Sequence, residues 1–360
     1  MRALVIGGTG PTGVCIVEGL LERGYQVSIY HTGAHEVSFS APVAHLHGNP
    51  RDRSCLERDL APLSFDLAIS TYGRLRHIEQ VLRGRVGKLV AITGGPVYRD
   101  FRRRGSLGLP LPIPEDAPVY QDPEEDLHGY LIALGEREVM EAHQQGHYRA
   151  SIVRYPKVYG PREDNPFEWS VIRRVLDGRT HIIAPADGLY LRQRGYVENV
   201  AHLVLLAATR PEADGHIYNA GDERSLTLRA WIALIAHTMG SSLEIVDLPL
   251  AAVPFLDPDY SNGAGYKSYA GHHSTLFDFT RARVDLGYRD PVPLFEAMRR
   301  TVEWLLAHRP APGDAAERKI GDRFDYALED RVIASYRGWL ADVARLWPEE
   351  LRSGPSDSER

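Results

Sequence analysis

The feature that most constrains this chain is its opening. A short apolar run, Ala3-Leu4-Val5-Ile6, leads at once into GGTGPTG, and Val14, Val17, Leu20 and Leu21 then follow at helical spacing. The run reads as a buried strand and the following stretch as a helix packed on one face. Gly7, Gly10 and Gly13 stand three residues apart in the turn between them, which lets the backbone approach a ligand that any Cβ would block. The helix N-terminus offers unpaired N–H groups and a positive dipole end to an anion such as a pyrophosphate. Thr9 and Thr12 add hydroxyl donors, and Pro11 suits a first helical turn, where its missing N–H is not needed. An ordinary glycine-rich turn is the alternative, but the strand–turn–helix setting predicts dinucleotide binding.

Strands and helices alternate through the first half. YQVSIY (25–30), VAHLHG (43–48), FDLAIST (65–71), KLVAITGG (88–95) and RASIVRY (149–155) read as strands. Helical patterns cover 54–60, 75–82 and 126–145, which predicts an α/β fold: a Rossmann-type, doubly wound parallel sheet. The Pro-, Arg- and Gly-rich segment 99–123 reads as a long loop. Beyond Gly160 the pattern mixes, with helices expected at 167–176, 227–239 and 294–307 and a long amphipathic one near the C-terminus. The expected division is a dinucleotide-binding domain over 1–160, rejoined by 195–225. A smaller mixed α/β C-terminal substrate lobe covers 161–194 and 226–310, and a helical extension covers 311–360.

At 360 residues, 43% hydrophobic and 25% charged, the chain is long enough for a full core and a second lobe. A net charge of −6 gives no general attraction to nucleic acid or to an anionic membrane. No apolar run approaches the roughly 18 residues of a membrane span. The two cysteines, Cys15 and Cys55, make no disulfide framework, and without an export leader the expected compartment is the cytoplasm.

AITGGPVY, HGYLIALGEREVMEA, VRYPKVYGPRE, RGYVENVAHLVLLA and HIYNAGDERSLTLRAWIALIA follow the opening motif in that order. Together these segments, over roughly 1–305, resemble the extended short-chain dehydrogenase/reductases, the NAD-dependent epimerase/dehydratase family. The resemblance implies hydride transfer between a nicotinamide and a substrate carbon. A tyrosine acts there as acid/base, a lysine four residues on lowers its pKa, and a Ser or Thr binds substrate. A phenol near pKa 10 is a poor base at neutral pH without adjacent positive charge. Here Tyr130 matches the tyrosine, but Leu134 stands where the lysine should be. The Ser/Thr position falls on Gly94, with Thr93 one residue earlier. Lys157, in RYPKVYGP, is the candidate substitute cation.

The same resemblance implies that His31 and Thr32 stand where an acidic residue would select NAD or an arginine NADP. With no carboxylate there, NADP is favoured over NAD. Asn49 occupies the place of an adenine-binding Asp, and Thr71 and Tyr155, at two strand ends, complete the expected cofactor set. No metal ligands are assigned: His272-His273 point apart on a strand and no ligand cluster accompanies them. Arg102–Arg104 are too short a basic run to argue for nucleic acid. The expected partner is a small polar or nucleotide-linked substrate, with a homodimer as the assembly. NAD(P)-dependent oxidoreduction, epimerisation or dehydration is one reading. A non-catalytic nucleotide-binding protein, as sensor or RNA-associated protein, and non-redox chemistry on the same fold stay open beside it.

Overall fold

The computed structural model describes residues 1–99, 101, 111–249 and 274–346; Arg102–Arg104 and His272-His273 lie outside them. The chain runs β1 (Arg2–Ile6), α1 (Pro11–Glu22), β2 (Gln26–His31), β3 (Ala44–His47), α2 (Arg53–Leu60), β4 (Phe65–Ser70), α3 (Leu75–Leu82), β5 (Val86–Gly94), α4 (Leu127–Gln144) and β6 (Arg149–Tyr155). It continues through β7 (Lys157–Tyr159), α5 (Glu168–Leu176), β8 (His181–Ile183), β9 (Arg194–Tyr196), α6 (Val197–Thr209), β10 (His216–Asn219), α7 (Leu228–Thr238) and β11 (Glu244–Val246). Four helices close it: α8 (Thr280–Leu286), α9 (Leu294–Ala307), α10 (Ala315–Ile320) and α11 (Tyr326–Leu346).

Seven strands form one parallel sheet in the order β10-β6-β5-β4-β1-β2-β3. Side chains of a strand alternate between faces, and β1 shows why this sheet needs cover on both. Ala3 and Val5 enter a core with Ile16 and Leu20 of α1 and Val200 and Val204 of α6. Leu4 and Ile6 enter the opposite core with Leu56 of α2, Ile78 of α3 and Val139 of α4. Every core-facing β1 residue is fully buried, as expected of a parallel strand covered on both faces. The chain crosses from β3 back over β1 to β4, so the strand order reverses beside β1. In open α/β sheets the crevice at the carboxyl ends of such strands is where ligands sit.

Two compact units emerge from the contacts: residues 1–166, 191–227 and 273–309 form the first, and 167–190, 228–272 and 310–360 the second. The sheet belongs to the first. Within the second, β8 and β11 pair in parallel, and the Trp231 indole of α7 donates to Glu168 of α5 at 3.0 Å. Among the described residues no helix is long and apolar enough to cross a membrane.

Candidate functional site

Gly7 and Gly8 carry the chain off β1 with φ of 104° and 87°, a region glycine enters without strain. A Cβ on Gly8 would lie 2.8 Å from Ile29 Cγ2, and one on Gly13 would lie 2.8 Å from the Gly8 backbone. These two glycines let α1 close onto the strand; Gly8 had no part in the three-step spacing that drew attention to the loop. Gly10 is different. It is the N-cap of α1, no side chain caps the helix there, and a Cβ would meet nothing within 4 Å. The helix N-terminus is therefore open where a diphosphate would need it, with Pro11 in the first turn. Thr9 is half-buried beside it, whereas Thr12 is buried.

Two concavities of the first unit adjoin this turn's strands. A cavity of about 580 Å³ is lined by Thr32, His47, Gly48, Asn49, Arg51 and Tyr72. The Arg51 guanidinium sits 4.9 Å from the Tyr72 ring centroid, a cation held over an aromatic face. The Asn49 side-chain oxygen accepts from the Arg51 amide at 3.0 Å. Thr32 and Asn49 thus line one space. His31 does not: it is 4% exposed and its ring turns to His45, 3.2 Å away. Burial in the first place holds the His31 pKa below the usual imidazole range.

A second cavity, of about 760 Å³, lies at the ends of β4, β5 and β6. Thr71, Thr93, Gly94 and Tyr155 contribute from the strands, Arg74, Arg76 and His77 from the approach to α3 and α3 itself, and His128, Leu131 and Ile132 from α4. Thr71 already spends its hydroxyl, which donates to the Ile6 carbonyl at 3.0 Å and ties β4 to β1. Tyr155 presents a buried hydroxyl without a hydrogen-bond partner, with Thr12 as its polar neighbour. Burial pushes its pKa far above that of a free phenol. A buried polar atom left unpaired beside a glycine-lined turn fits a site built to receive a polar ligand.

Three expected catalytic residues fare differently. Thr93 lines the cavity, and its hydroxyl donates to Glu136 of α4 at 2.5 Å. With its proton committed below, the Thr93 oxygen has acceptor lone pairs left for a ligand. Tyr130 is not among the lining residues; it lies near Arg76, which is paired with Glu138 at 2.6 Å. Two residues along a helix rotate a side chain by about 200°, so the stripe that faces β5 and β6 is His128, Ile132 and Glu136. Tyr130 and Glu138 lie instead on the side of Arg76 of α3. Lys157 is also elsewhere, on β7 with its ammonium 2.6 Å from Glu163, so the substitute cation expected at the reaction site is already paired outside the cavity.

The register of α4 has a local cause. Asp126 caps it, accepting from the Gly129 amide at 2.7 Å. A Cβ on Gly129 would lie 2.7 Å from the Pro96 carbonyl oxygen, so the helix meets the chain after β5 at its glycine. That contact puts the adjacent His128 at the cavity. Among the described lining residues none is acidic, while Arg74, Arg76, His77 and His128 are basic, a balance suited to an anionic or electron-rich ligand.

A parallel sheet in this order, with an open glycine-lined helix N-terminus at its strand reversal, is the architecture of a Rossmann-type fold. Residues 108–221 match the NAD dependent epimerase/dehydratase family model, and solved epimerases and dehydratases share the fold of the chain. It is 25% identical over 329 residues to a putative UDP-glucose 4-epimerase of Methanocaldococcus jannaschii, covering 84% of this chain and 97% of that one. It is 31% identical over 172 residues to an uncharacterised protein of Sinorhizobium fredii, a match over 43% of this chain and about half (47%) of the relative. The solved dTDP-glucose 4,6-dehydratase of Bacillus anthracis, in complex with NAD, superposes with a TM-score of 0.65 at 15% identity, covering 85% of this chain and 97% of that one. That likeness is one of fold.

Proposed function

We propose that the protein is an NADP-dependent enzyme of the epimerase, dehydratase or reductase type in which His128, rather than Tyr130, is the acid/base. The observation that carries this reading is the α4 stripe: His128 and Ile132, four residues apart, face the cavity beside Thr93 and Tyr155. They have the four-residue spacing of a Tyr-x-x-x-Lys pair. A phenol there would need a neighbouring cation to act at neutral pH, but an imidazole titrates near pH 6.5 in water and needs none. The absence of a lysine at Leu134, and equally at Ile132, is then chemically consistent.

A bound nicotinamide would supply hydride transfer. The open N-terminus of α1 would hold its diphosphate, Asn49 its adenine, and Thr32 with Arg51 a 2′-phosphate. Thr93 accepts a hydrogen bond from the substrate, and His128 takes or returns the proton. The substrate is a small polar or nucleotide-linked molecule; the relatives' names make UDP-glucose and dTDP-glucose the first probes. The free thiols of Cys15 and Cys55 suit a reducing, cytoplasmic setting.

The test is a titration of the full chain with NADP⁺ and NAD⁺, followed by thermal stability. NADP⁺ is expected to stabilise more at equal concentration, and Arg51→Ala to erase the difference. Binding of neither removes the enzyme reading. In turnover of the two nucleotide-sugar probes, His128→Gln is expected to lose about 100-fold or more while Tyr130→Phe stays near wild type. The reverse pattern would return the role to Tyr130.

A further inference from the structure

Away from the large cavity, β2 and β3 bring three histidines together. His31 ends β2 and pairs in register with His47 of β3, and His45 stands two residues earlier on the same strand. Alternate residues share a face of a strand, so His45 and His47 point the same way, toward the side to which His31 turns. Glu36, from the segment between the strands, reaches back to all three. His45 Nδ1 lies 2.9 Å from Glu36 Oε2, His47 Nε2 lies 3.1 Å from Oε1, and His31 Nε2 lies 4.0 Å from Oε1. His31 Nε2 and His45 Nδ1 are 3.2 Å apart, and one donor atom from each of the four residues falls within 4.8 Å of every other.

We propose that His31, Glu36, His45 and His47 form a binding site for one divalent transition-metal ion of the zinc class.

The donor spacing is the first argument. Ligands about 2.05 Å from a tetrahedral zinc stand about 3.3 Å from one another; the separations of 2.9, 3.1 and 3.2 Å here fall just below that edge and the one of 4.0 Å above it. The rings supply the second. They stand at 74°, 70° and 69° to one another, so their nitrogens converge without the rings stacking. Chemistry supplies the third: three imidazoles and one carboxylate prefer zinc, cobalt, nickel or copper to the oxygen-seeking magnesium and calcium. Four protein ligands leave no open position, which makes the site structural, a clasp joining both strands to the segment between them. Ligation through His31 Nε2 places its ring proton on Nδ1, so the 3.3 Å contact from the Gly33 amide is given up along with the hydrogen bonds among the ligand atoms themselves. The sequence alone points to no metal ligands, His272-His273 included, and this proposal departs from that expectation.

The experiment uses the untagged full chain, stripped with a chelator and titrated with Zn(II) alone. One equivalent is expected to bind, and Co(II) in its place is expected to give the strong visible absorption of a tetrahedral ion. Glu36 and His47 are more than half exposed, so Glu36→Gln and His47→Gln should keep the fold, checked by circular dichroism. Each is expected to weaken Zn(II) binding more than about tenfold, at least the loss seen for a supporting partner of a ligand. Failure of the folded wild-type chain to bind an equivalent of Zn(II) would overturn the proposal. So would binding left unchanged in both variants, or a Co(II) spectrum of octahedral character.

Discussion

Glu136 of α4 and Arg154 of β6 face each other at 2.6 Å with side chains only 5% and 3% exposed. The guanidinium also donates to the Glu115 carbonyl at 2.8 Å, and Thr93 donates to the same Glu136 carboxylate. Burial opposes the charge on Arg154, but the Glu136 carboxylate more than offsets it and holds the guanidinium pKa above its ordinary value. The pair is the floor on which Thr93 is oriented. Breaking it from one side leaves a buried charge without its partner. Glu136→Ala should lower stability by about 3–5 kcal/mol, whereas Glu136→Leu with Arg154→Met should lose less than either single change. Urea unfolding of the single and double variants checks this, and a double variant as unstable as both singles combined would show that the two residues do not act as a pair.

The glycine turn separates packing from ligand contact. Gly13 has the Gly8 backbone where its Cβ would go, and Gly10 has open space. Gly13→Ala should therefore cost stability even without cofactor. Gly10→Ala should change the stability of the free chain by less than about 1 kcal/mol. On the proposed binding mode it should weaken NADP⁺ binding by about tenfold or more, because the new methyl would stand in the path of the diphosphate. Thermal unfolding with and without NADP⁺ measures both. Unchanged affinity in Gly10→Ala would move the diphosphate away from this helix.

Asp222 gives the first unit a pH signature. It is 2% exposed, accepts from the Tyr196 amide at 2.9 Å and from Asn199 at 3.0 Å, and burial raises its pKa from 3.8 to about 6. The folded chain thus holds this proton more tightly than the unfolded one. Its contribution to stability is fully present below pH 3.8 and is lost as pH rises through about 6. At pH 7 the ionised group weighs against the fold by up to about 3 kcal/mol. Asp222→Asn should be more stable than wild type at pH 7, and the difference should shrink as pH falls toward 4. Urea midpoints for both chains across that range provide the measurement; a difference independent of pH would place the ordinary carboxylate pKa back on Asp222.

Much of this was legible in the sequence because burial leaves periodic marks. Strand β6 and helices α3 and α9 fall on the residues their patterns indicated, and Asp126, read as the first residue of α4, proves to be its cap. The two small parallel pairs, β7 with β9 and β8 with β11, span three residues each, too short for alternation to show. The site was harder to read. Residue type drew attention to Tyr130, yet which helix residue faces a cavity depends on rotation about the axis, set here by Gly129 against the Pro96 carbonyl. Taken singly in the sequence, His31 suggests a phosphate contact. The signal that it belongs elsewhere was the alternation of His45 and His47 on a strand, which gains meaning only once β3 is known to pair with β2.

In the second unit, Arg174 of α5 is fully buried and donates to Asp322 and to Glu329 of α11, both at 2.5 Å. Burial raises the Glu329 pKa, with the Arg174 charge opposing that rise. The arginine is therefore the shared counter-charge of two buried carboxylates. Arg174→Met keeps much of the volume and removes the charge, leaving Asp322 and Glu329 facing each other unpaired. The expected loss is about 3–5 kcal/mol, concentrated where α11 is anchored to α5. Amide hydrogen exchange reads it directly: protection over residues 326–346 should fall in the variant while that of β1 and β4 stays as in wild type. A uniform loss across both units would show that α11 does not open by itself, and protection retained throughout would show that the two carboxylates are held without the arginine.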